Sequence, residues 1–304
     1  MEKEVINSYK KAGQILKEVQ KLAEKTAKPG AKLLELAEKI ESRIKNLDGK
    51  TAFPVNLSAN NWAAHYTPKV NDESVIEEKD VMKIDIGVHV NGYIADSAFT
   101  MDFSGEYGKV VEASQRALEN AISILKVGTT MKEIGKEIQT TIEGFHLKPI
   151  ENLSGHGLEQ FTAHAAPTFP NVERNDLTEI EEDTAFAIEP FASTGTGTVR
   201  DANIVEIFSL KEKKPVRNLN ARNLLEKIEK EFKTIPFSER QIAEGLTEFQ
   251  RKTALRELMI NKCIKGYPLL KDIDGSIVAQ FETSFAMDGD ELNIMTDYPL
   301  KFNK

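Results

Sequence analysis

The 304-residue sequence predicts an α+β fold, in which an antiparallel or mixed sheet is flanked by helices. Its segments come in groups: helices, then strands, then helices and strands again. This grouping favours α+β over a doubly wound parallel sheet, in which strands and helices alternate one by one. A basic helical stretch also interrupts the later strand group. We therefore expect a main domain over 1–209 and 266–304, with an inserted helical subdomain over 210–265.

Helices are predicted where apolar residues recur with a helical period. The first 46 residues form two amphipathic helices, because Pro29-Gly30 breaks the pattern between them. In the second helix, Leu33, Leu36 and Ile40 fall on one face. Further helices are predicted over 107–125, 131–144 and, with interruptions, 219–262.

Strands are predicted in five segments that are rich in β-branched, aromatic and other apolar residues. Asn91-Gly92 interrupts the longest of them and is the strongest signal for a two-residue hairpin turn. We therefore expect this segment to fold back on itself as two paired strands. The five segments are 51–57, 81–103, 185–188, 202–208 and 276–285.

Composition narrows the class of protein. Hydrophobic residues make up 40% of the chain and charged residues 29%, as in ordinary soluble globular proteins. The N-terminus is charged, and no apolar run approaches the roughly 18 residues of a membrane span. The lone Cys263 suits a reducing compartment. We expect a cytoplasmic protein with no membrane partner.

The charge distribution leaves two interpretations of the insertion. The net charge of −8 argues against specific nucleic-acid binding as the main activity. Within 210–265, however, 14 Lys or Arg stand against 8 Glu, a balance of +6, so the rest of the chain carries −14. This basic stretch is either a set of solvated helices or an interaction face, for instance for a transient ribosome contact.

The predicted hairpin places two aspartates on one face. With a two-residue turn at Asn91-Gly92, paired positions sum to 183, so Asp85 faces Ala98 and Asp96 faces Gly87. The two aspartates are then diagonal neighbours, about 7–8 Å apart. Two carboxylates in apolar strands need a cation or another partner, unless they lie on a solvated face. A three-residue turn would shift the pairing and separate them.

Three later segments supply further candidate metal ligands. His156 lies between Gly155 and Gly157, where backbone can approach closely and the ring is unhindered. Glu189 ends an apolar strand just before a proline, and Glu282 occupies a similar place in the last strand region. With the two aspartates they form an oxygen-rich set that suits Mn, Fe, Co or Zn, without the thiolates of a structural zinc site.

In the order Asp, Asp, His, Glu, Glu, these residues resemble the ligands of the pita-bread metallopeptidases, and the resemblance is closest to type 2 methionine aminopeptidases. It covers essentially the whole chain. The 93 positions between Glu189 and Glu282 leave room for the insertion that separates type 2 from the compact type 1 enzymes. The 84 residues before Asp85 match the short archaeal-type form, which lacks the eukaryotic N-terminal extension. The motifs are Ala52-Phe53-Pro54, Ala63-Ala64-His65-Tyr66-Thr67-Pro68, Asp85-Ile86-Gly87, Asn91-Gly92-Tyr93-Ile94-Ala95-Asp96, Gly155-His156-Gly157, Glu189-Pro190-Phe191 and Gln280-Phe281-Glu282.

The resemblance implies a pita-bread (creatinase/aminopeptidase) fold with two halves related by a pseudo-two-fold axis, and a winged-helix-like insertion. It implies a metalloaminopeptidase that removes the initiator methionine by attack of a water, activated by two divalent metal ions, on the first peptide bond. Asp85 would chelate one ion, His156 and Glu189 the other, and Asp96 and Glu282 would bridge them. Glu189 would also carry a proton from the water to the leaving amine.

The same resemblance assigns the substrate contacts. His65 and His164 would donate to the substrate's amide or stabilise the tetrahedral intermediate, as further catalytic residues. Phe53 and Tyr267 match positions of an apolar pocket for methionine, although either is equally compatible with ordinary core packing. The expected partner is the N-terminal methionine of nascent polypeptides, and we expect a monomer.

Two other functions stay open. A prolidase or aminopeptidase P-like peptidase uses the same ligand types on the same fold, but usually carries an additional N-terminal domain. The 84 residues before Asp85 leave no room for one. A non-catalytic homologue that binds ribosomes or RNA has typically lost ligands, whereas all five ligand positions are filled here.

Overall fold

A computed structural model of the protein describes residues 1–297. The end of the predicted main domain, 298–304, therefore lies outside the described residues. No helix within 1–297 is both long and apolar enough to cross a membrane. The α-helices of this part of the chain are α1 (Lys3–Thr26), α2 (Leu33–Asn46), α3 (Gly108–Ile124), α4 (Met131–Gly144), α5 (Leu219–Glu231) and α6 (Glu248–Ile260).

The strands form four sheets, and every strand pair found in residues 1–297 is antiparallel. The predicted α+β class is thus confirmed. In chain order the strands are β1 (Lys50–Thr51), β2 (Asn56–Ala59), β3 (Trp62–Ala64), β4 (Val81–Val90), β5 (Tyr93–Asp102), β6 (Lys148–Pro149), β7 (Ser154–Glu159), β8 (Thr162–Pro170), β9 (Ala185–Ile188), β10 (Phe191–Ser193), β11 (Arg200–Leu210), β12 (Phe237–Ser238), β13 (Ile264–Lys271), β14 (Val278–Gln280), β15 (Thr283–Asp288) and β16 (Glu291–Ile294).

The helices form where the apolar period predicts them, and their apolar faces cover the sheets. α1 and α2 are separated at 27–32, around Pro29-Gly30, and α1 packs on β4 and β5. Leu16, Val19 and Ile40 on their inner faces are fully buried. Burying one such side chain contributes about 1.5–3 kcal/mol, so these faces hold the helices on the sheet. α4 begins with a capping box formed by Thr130 and Glu133.

The β4–β5 hairpin has the predicted turn and register. Asn91 and Gly92 have φ angles of 55° and 90°, the left-handed values that a type I′ turn requires. Asp85 pairs with Ala98, and Asp96 pairs with Gly87. The two aspartates therefore share one face of the sheet, as the pairing arithmetic predicts.

Three parts of the strand prediction are wrong in detail. The segment 51–57 is divided into β1 and β2, which pair with different parts of β4, because Pro54 between them has no backbone N–H for a ladder. The segment 276–285 is broken at Phe281 and Glu282 into β14 and β15. Finally, several strands are not predicted: β3, β6, β7, β8, β10, β12, β13 and β16. Of these, β7 and β8 are rich in Gly, Ala and Pro, which seldom signal a strand.

The segment 278–284 joins β5 without forming a regular ladder with it. Glu282 N donates to the Ala98 carbonyl at 2.9 Å, and Ser97 Oγ donates to the Glu282 carbonyl at 2.5 Å. Thr100 Oγ1 donates to the Gln280 carbonyl at 2.7 Å and accepts from Gln280 N at 2.8 Å. These bonds hold the backbone of the last strand region against the hairpin that carries the two aspartates.

The stretch 210–265 contains α5, β12, a short 3₁₀ helix (Glu239–Ile242) and α6, and is less helical than predicted. β11 and β13, which lead into and out of it, are neighbours, with Leu210 opposite Ile264. The boundaries at 210 and 265 fall within these strands and stay a prediction. A cluster of buried residues fills this region: Phe208, Val216, Ala221, Leu224, Leu225, Ile228, Phe237, Ile242, Ala254, Leu255, Leu258, Cys263 and Ile264.

The hairpin turn gives a stability prediction. A Cβ added at Gly92 would lie 2.6 Å from the Phe161 ring, at a position where φ is +90°. We expect Gly92→Ala to lower the free energy of unfolding by about 2–3 kcal/mol, from backbone strain and crowding together. Gly105 also has a positive φ, +71°, but no atom lies within 4 Å of the added Cβ. Gly105→Ala should therefore cost only about 1 kcal/mol. Equal losses in urea unfolding would contradict the crowding at Gly92.

Candidate metal centre

The five predicted ligands line one cavity. β4 and β5 bring Asp85 and Asp96 to it through the hairpin register, and the break between β14 and β15 brings Glu282. Glu189 follows directly after β9. Side chains that are far apart in the sequence thus meet where several antiparallel strands approach each other.

His156 enters the cavity from β7, between two glycines that allow close packing. A Cβ at Gly155 would lie 2.3 Å from the Ala187 carbonyl oxygen, and one at Gly157 would lie 2.2 Å from that of Ala166. Any larger residue would push β7 away from the neighbouring backbone. The Nδ1 atom of His156 lies 3.3 Å from the Gly157 carbonyl, which can only accept, so Nδ1 carries the hydrogen. Nε2 is then free to act as a metal ligand.

The imidazole nitrogen faces three of the four carboxylates. His156 Nε2 lies 3.8 Å from Asp96 Oδ2, 3.8 Å from Glu282 Oε1 and 4.0 Å from Glu189 Oε1. The ligand atoms of Asp96, His156 and Glu282 all lie within 4.8 Å of one another. Such spacing is too wide for direct hydrogen bonds and suits a cation between the atoms.

Burial makes four ionised carboxylates unfavourable without such a cation. It raises the pKa of Asp85 to about 7. Burial also raises the pKa of Asp96, Glu189 and Glu282 well above their usual values, and repulsion between the carboxylates adds to each shift. The pKa of His156 is lowered by burial to about 4, so its ring is neutral at pH 7. A neutral imidazole cannot compensate the carboxylates, but it can bind a metal.

Three buried oxygens test whether these residues fit a metal. Asp85 Oδ1, Asp96 Oδ1 and Glu282 Oε1 are fully buried and, among the residues that the structure describes, have no hydrogen-bond partner. Leaving a buried acceptor unsatisfied costs about 1–3 kcal/mol, and more for a charged group. Oxygens of this kind, beside a neutral imidazole nitrogen, are suitable ligands for a divalent transition metal. This set of ligand atoms therefore suits a divalent transition metal.

His65 and His164 lie on the wall of the same cavity. His65 Nδ1 lies 3.1 Å from the Pro268 carbonyl and must donate to it, and burial lowers the pKa of this histidine. A neutral ring with its hydrogen on Nδ1 offers Nε2 as an acceptor. The expectation that His65 donates to the substrate or stabilises the tetrahedral intermediate stays a prediction. The ring of His164 lies 4.5 Å from that of His156, between centroids. Part of His164 is exposed, but its ring lies among other groups of the cavity wall; this desolvation, then repulsion from nearby basic groups, lowers its pKa well below the usual value.

The predicted pocket residues are also present in the cavity wall. Phe53 is buried, and a Cβ at Gly87 would lie 2.3 Å from its ring, so Gly87 makes room for Phe53 beside the metal ligands. Tyr267 is half-buried and its ring lies 5.7 Å from that of His65. Pro236 lines the cavity too.

Known proteins with similar sequences show which family this chain belongs to. The model of metallopeptidase family M24 matches residues 7–208. The methionine aminopeptidase of Pyrococcus horikoshii is 46% identical over 287 residues, which cover 94% of this chain and 97% of that protein. The chain belongs to the methionine aminopeptidases of family M24.

Solved structures show the same fold at low sequence identity. A thermophilic Arx1 has a TM-score of 0.86 and 17% identity, with 97% of this chain and 91% of that chain covered. The methionine aminopeptidase of Thermotoga maritima has a TM-score of 0.69 and 21% identity, with 97% of each chain covered. These likenesses confirm the pita-bread fold, which methionine aminopeptidases share with proteins of other names.

Two polar residues of this methionine aminopeptidase site were not assigned a role from the sequence. Gln280 Nε2 donates to Glu189 Oε2 at 3.2 Å and to Glu282 Oε2 at 3.4 Å, and so links two ligand carboxylates. Asn56 lies opposite Asp85 in the β2–β4 pair, and its buried Oδ1 has no partner within residues 1–297. The sequence signal that points to Asn56 is a single polar residue in the otherwise apolar segment 52–57.

The two bonds of Gln280 give a prediction about metal affinity. Replacing Gln280 by Leu keeps the volume but removes the donor that orients Glu189 and Glu282. We expect metal affinity to fall about 10–100-fold, as for other groups that orient metal ligands. Titration of Mn²⁺ into metal-free protein, followed by calorimetry, measures the change.

Gln241→Leu is the matched control. Gln241 accepts from Ser238 N at 2.9 Å in the capping box of the 3₁₀ helix, away from the metal ligands. Its loss should lower stability and leave Mn²⁺ affinity unchanged. If Gln280→Leu bound Mn²⁺ as tightly as this control, Gln280 would have no role in orienting the carboxylates.

Proposed function

We propose that this chain is a metal-dependent aminopeptidase that removes the N-terminal methionine of nascent proteins and peptides. The observation that carries the proposal is the convergence of four carboxylates, two buried and two half-buried, and one neutral imidazole in a single cavity. The 46% identity to a methionine aminopeptidase over nearly the whole chain supports methionine as the residue released. The arrangement suits hydrolysis, since it can hold a cation beside several proton-accepting groups.

Two divalent ions, among Mn, Fe, Co and Zn, are the proposed cofactors. Asp85 would hold one ion, His156 and Glu189 the other, and Asp96 and Glu282 would lie between them. This division is supported by the central place of Asp96 and Glu282, each 3.8 Å from His156 Nε2. When bound, such ions lower the pKa of water and polarise a carbonyl group.

Glu189 is the proposed proton carrier. Its side chain is 14% exposed, against 3% for Asp96 and 2% for Glu282, so it has more access to the open part of the cavity than these two ligands. Gln280 holds Oε2 at 3.2 Å and thereby fixes the orientation of the group. A carboxylate in this position takes a proton from the attacking water and returns it to the leaving amine.

The two other histidines orient the peptide. With Nδ1 held by the Pro268 carbonyl, His65 presents Nε2 to accept a hydrogen bond from a substrate N–H. His164, between the rings of His156 and Tyr267, is neutral at pH 7 and can donate to a substrate oxygen from whichever ring nitrogen carries the hydrogen. One acceptor and one donor on the same wall match the N–H and C=O of a peptide bond.

Within the methionine aminopeptidases, we assign this chain to the short, archaeal-type form of type 2. We propose that it acts as a monomer in the cytoplasm. The long segment between Glu189 and Glu282, with its own buried cluster, supports type 2. Coverage of 97% of the Pyrococcus horikoshii protein supports the short form. A transient ribosome contact through the +6 insertion is a secondary proposal, which ribosome co-sedimentation tests.

The first prediction for this function concerns Glu189. Glu189→Gln keeps one oxygen for the metal but cannot accept a proton, so release of Met from Met-Ala-Ser should fall by at least about 100-fold. Glu181→Gln, at an exposed site, should retain wild-type turnover. Undiminished turnover by Glu189→Gln would rule out its role as proton carrier. Release of a residue before proline, without release of Met, would instead assign the protein to the prolidase-like enzymes.

The second prediction concerns the methionine pocket. Phe53→Ala removes an apolar wall, so KM for Met peptides should rise about 10-fold or more while metal content stays constant. Phe249→Ala is the control, because Phe249 is 80% exposed. Peptide kinetics and elemental analysis separate the two effects. A loss of bound metal with unchanged KM would show that Phe53 supports the ligands and not the substrate.

A further inference from the structure

Lys83 is a buried lysine in the sheet that carries the metal ligands. It lies on β4, two positions before Asp85 and on the same face, and is only 1% exposed. Lysine is almost never fully buried without specific partners. Here the partners are backbone carbonyls: Nζ donates to Asn60 at 2.7 Å, to Val278 at 2.9 Å and to Val81 at 3.5 Å.

The two shorter bonds reach segments that carry other site residues. Asn60 is in the turn between β2 and β3, five positions before His65. Val278 begins β14, two positions before Gln280 and four before Glu282. The hydrogen bonds of Nζ thus link three chain segments, each of which supplies a side chain to the cavity.

The surrounding backbone directs these carbonyls toward Nζ. Asn60 has a φ of 55°, its N–H donates to the Val81 carbonyl at 2.8 Å, and its carbonyl also accepts from Val278 N at 3.1 Å. The Asn60 side chain bonds Asp80 and Val81 N, which fixes the turn further. Without Nζ, the Asn60 and Val81 carbonyls would keep only their bonds to backbone N–H groups, and the oxygens now grouped around Nζ would lose the donor that they share.

Burial lowers the pKa of Lys83 well below its usual value, and nearby Asp80 opposes that shift. Whether charged or neutral, Nζ carries at least two hydrogens, which is enough for its two shorter bonds, to the Asn60 and Val278 carbonyls.

We propose that Lys83 is a positioning residue of the metal centre: by donating to the Asn60 and Val278 carbonyls, its Nζ fixes the β4 strand of Asp85 relative to the segment of β14 and Glu282. The inference rests on the metal-binding part of the proposed function. It assigns to Lys83 the spacing between ligands and no contact with substrate. Loss of the Lys83 side chain should therefore weaken metal binding in protein that still folds.

Lys83→Met tests the proposal, because Met has a similar length and no hydrogen-bond donor. In the full chain we expect the Mn²⁺ dissociation constant to rise about 10–100-fold in calorimetric titration. Arg251→Met is the matched control: Arg251 is 5% exposed and bonds Glu239 at 2.5 Å in the insertion, far along the chain from the ligands. It should lower stability without changing Mn²⁺ affinity. Wild-type Mn²⁺ affinity in Lys83→Met would overturn the proposal.

A rescue experiment keeps the proposal testable even if Lys83→Met does not fold. Lys83→Ala leaves a space lined by carbonyl oxygens, which bind potassium or ammonium ions well. With roughly 0.1 M of either ion, Mn²⁺ affinity of Lys83→Ala should return to within about 3-fold of wild type, and that of wild type should not change. Failure of both variants to bind Mn²⁺, with no recovery in either salt, would overturn the proposal in favour of a purely structural lysine.

The proposal for Lys83 and the proposed peptidase activity can fail independently of each other. If wild-type protein binds Mn²⁺ but releases no methionine, the peptidase assignment fails while the Lys83 measurements still stand. If wild-type protein is active and Lys83→Met binds Mn²⁺ normally, the peptidase assignment stands and the role of Lys83 is excluded.

Discussion

Four carboxylates share one cavity with a neutral imidazole, and burial makes this arrangement unfavourable without a cation. The raised pKa values of Asp85, Asp96, Glu189 and Glu282 express that conflict. A protein can maintain it only if the backbone around each group is held firmly, because the side chains repel one another. Much of the surrounding architecture serves this purpose. Regular strands carry the aspartates, glycines let the histidine strand approach, and an amide donor links two of the acids.

The two regions that supply the acids are joined mainly by hydrogen bonds rather than by apolar packing alone. Ser97, Ala98 and Thr100 of β5 bond the backbone of 280–282, and Lys83 bonds the start of the same segment. Such bonds fix distance and orientation more narrowly than hydrophobic contacts do. This precision is required where a few tenths of an ångström decide whether ligand atoms can share an ion.

The sequence predicted the parts of the fold that local chemistry determines. The helical period predicted α1, α2 and α4, and Asn91-Gly92 predicted a register that placed Asp85 and Asp96 together. It did not predict β7 and β8, whose Gly, Ala and Pro residues pack by long-range fit rather than by intrinsic preference. The break at Glu282 and the hydrogen bonds of Gln280 and Lys83 depend on contacts between distant parts of the chain. Lys83 and Val278, for example, are almost 200 positions apart. Patterns within a short window carry no information about such contacts.

The insertion enters and leaves through β11 and β13, and Leu210 lies directly opposite Ile264. Its two ends are therefore as close as the arms of a hairpin, although 53 residues separate them. A connection of any length can be exchanged there at a small entropic cost, since closure entropy grows only with the logarithm of loop length. A change in the length of the predicted insertion between these two strands would therefore leave the pairing of β11 with β13 in place.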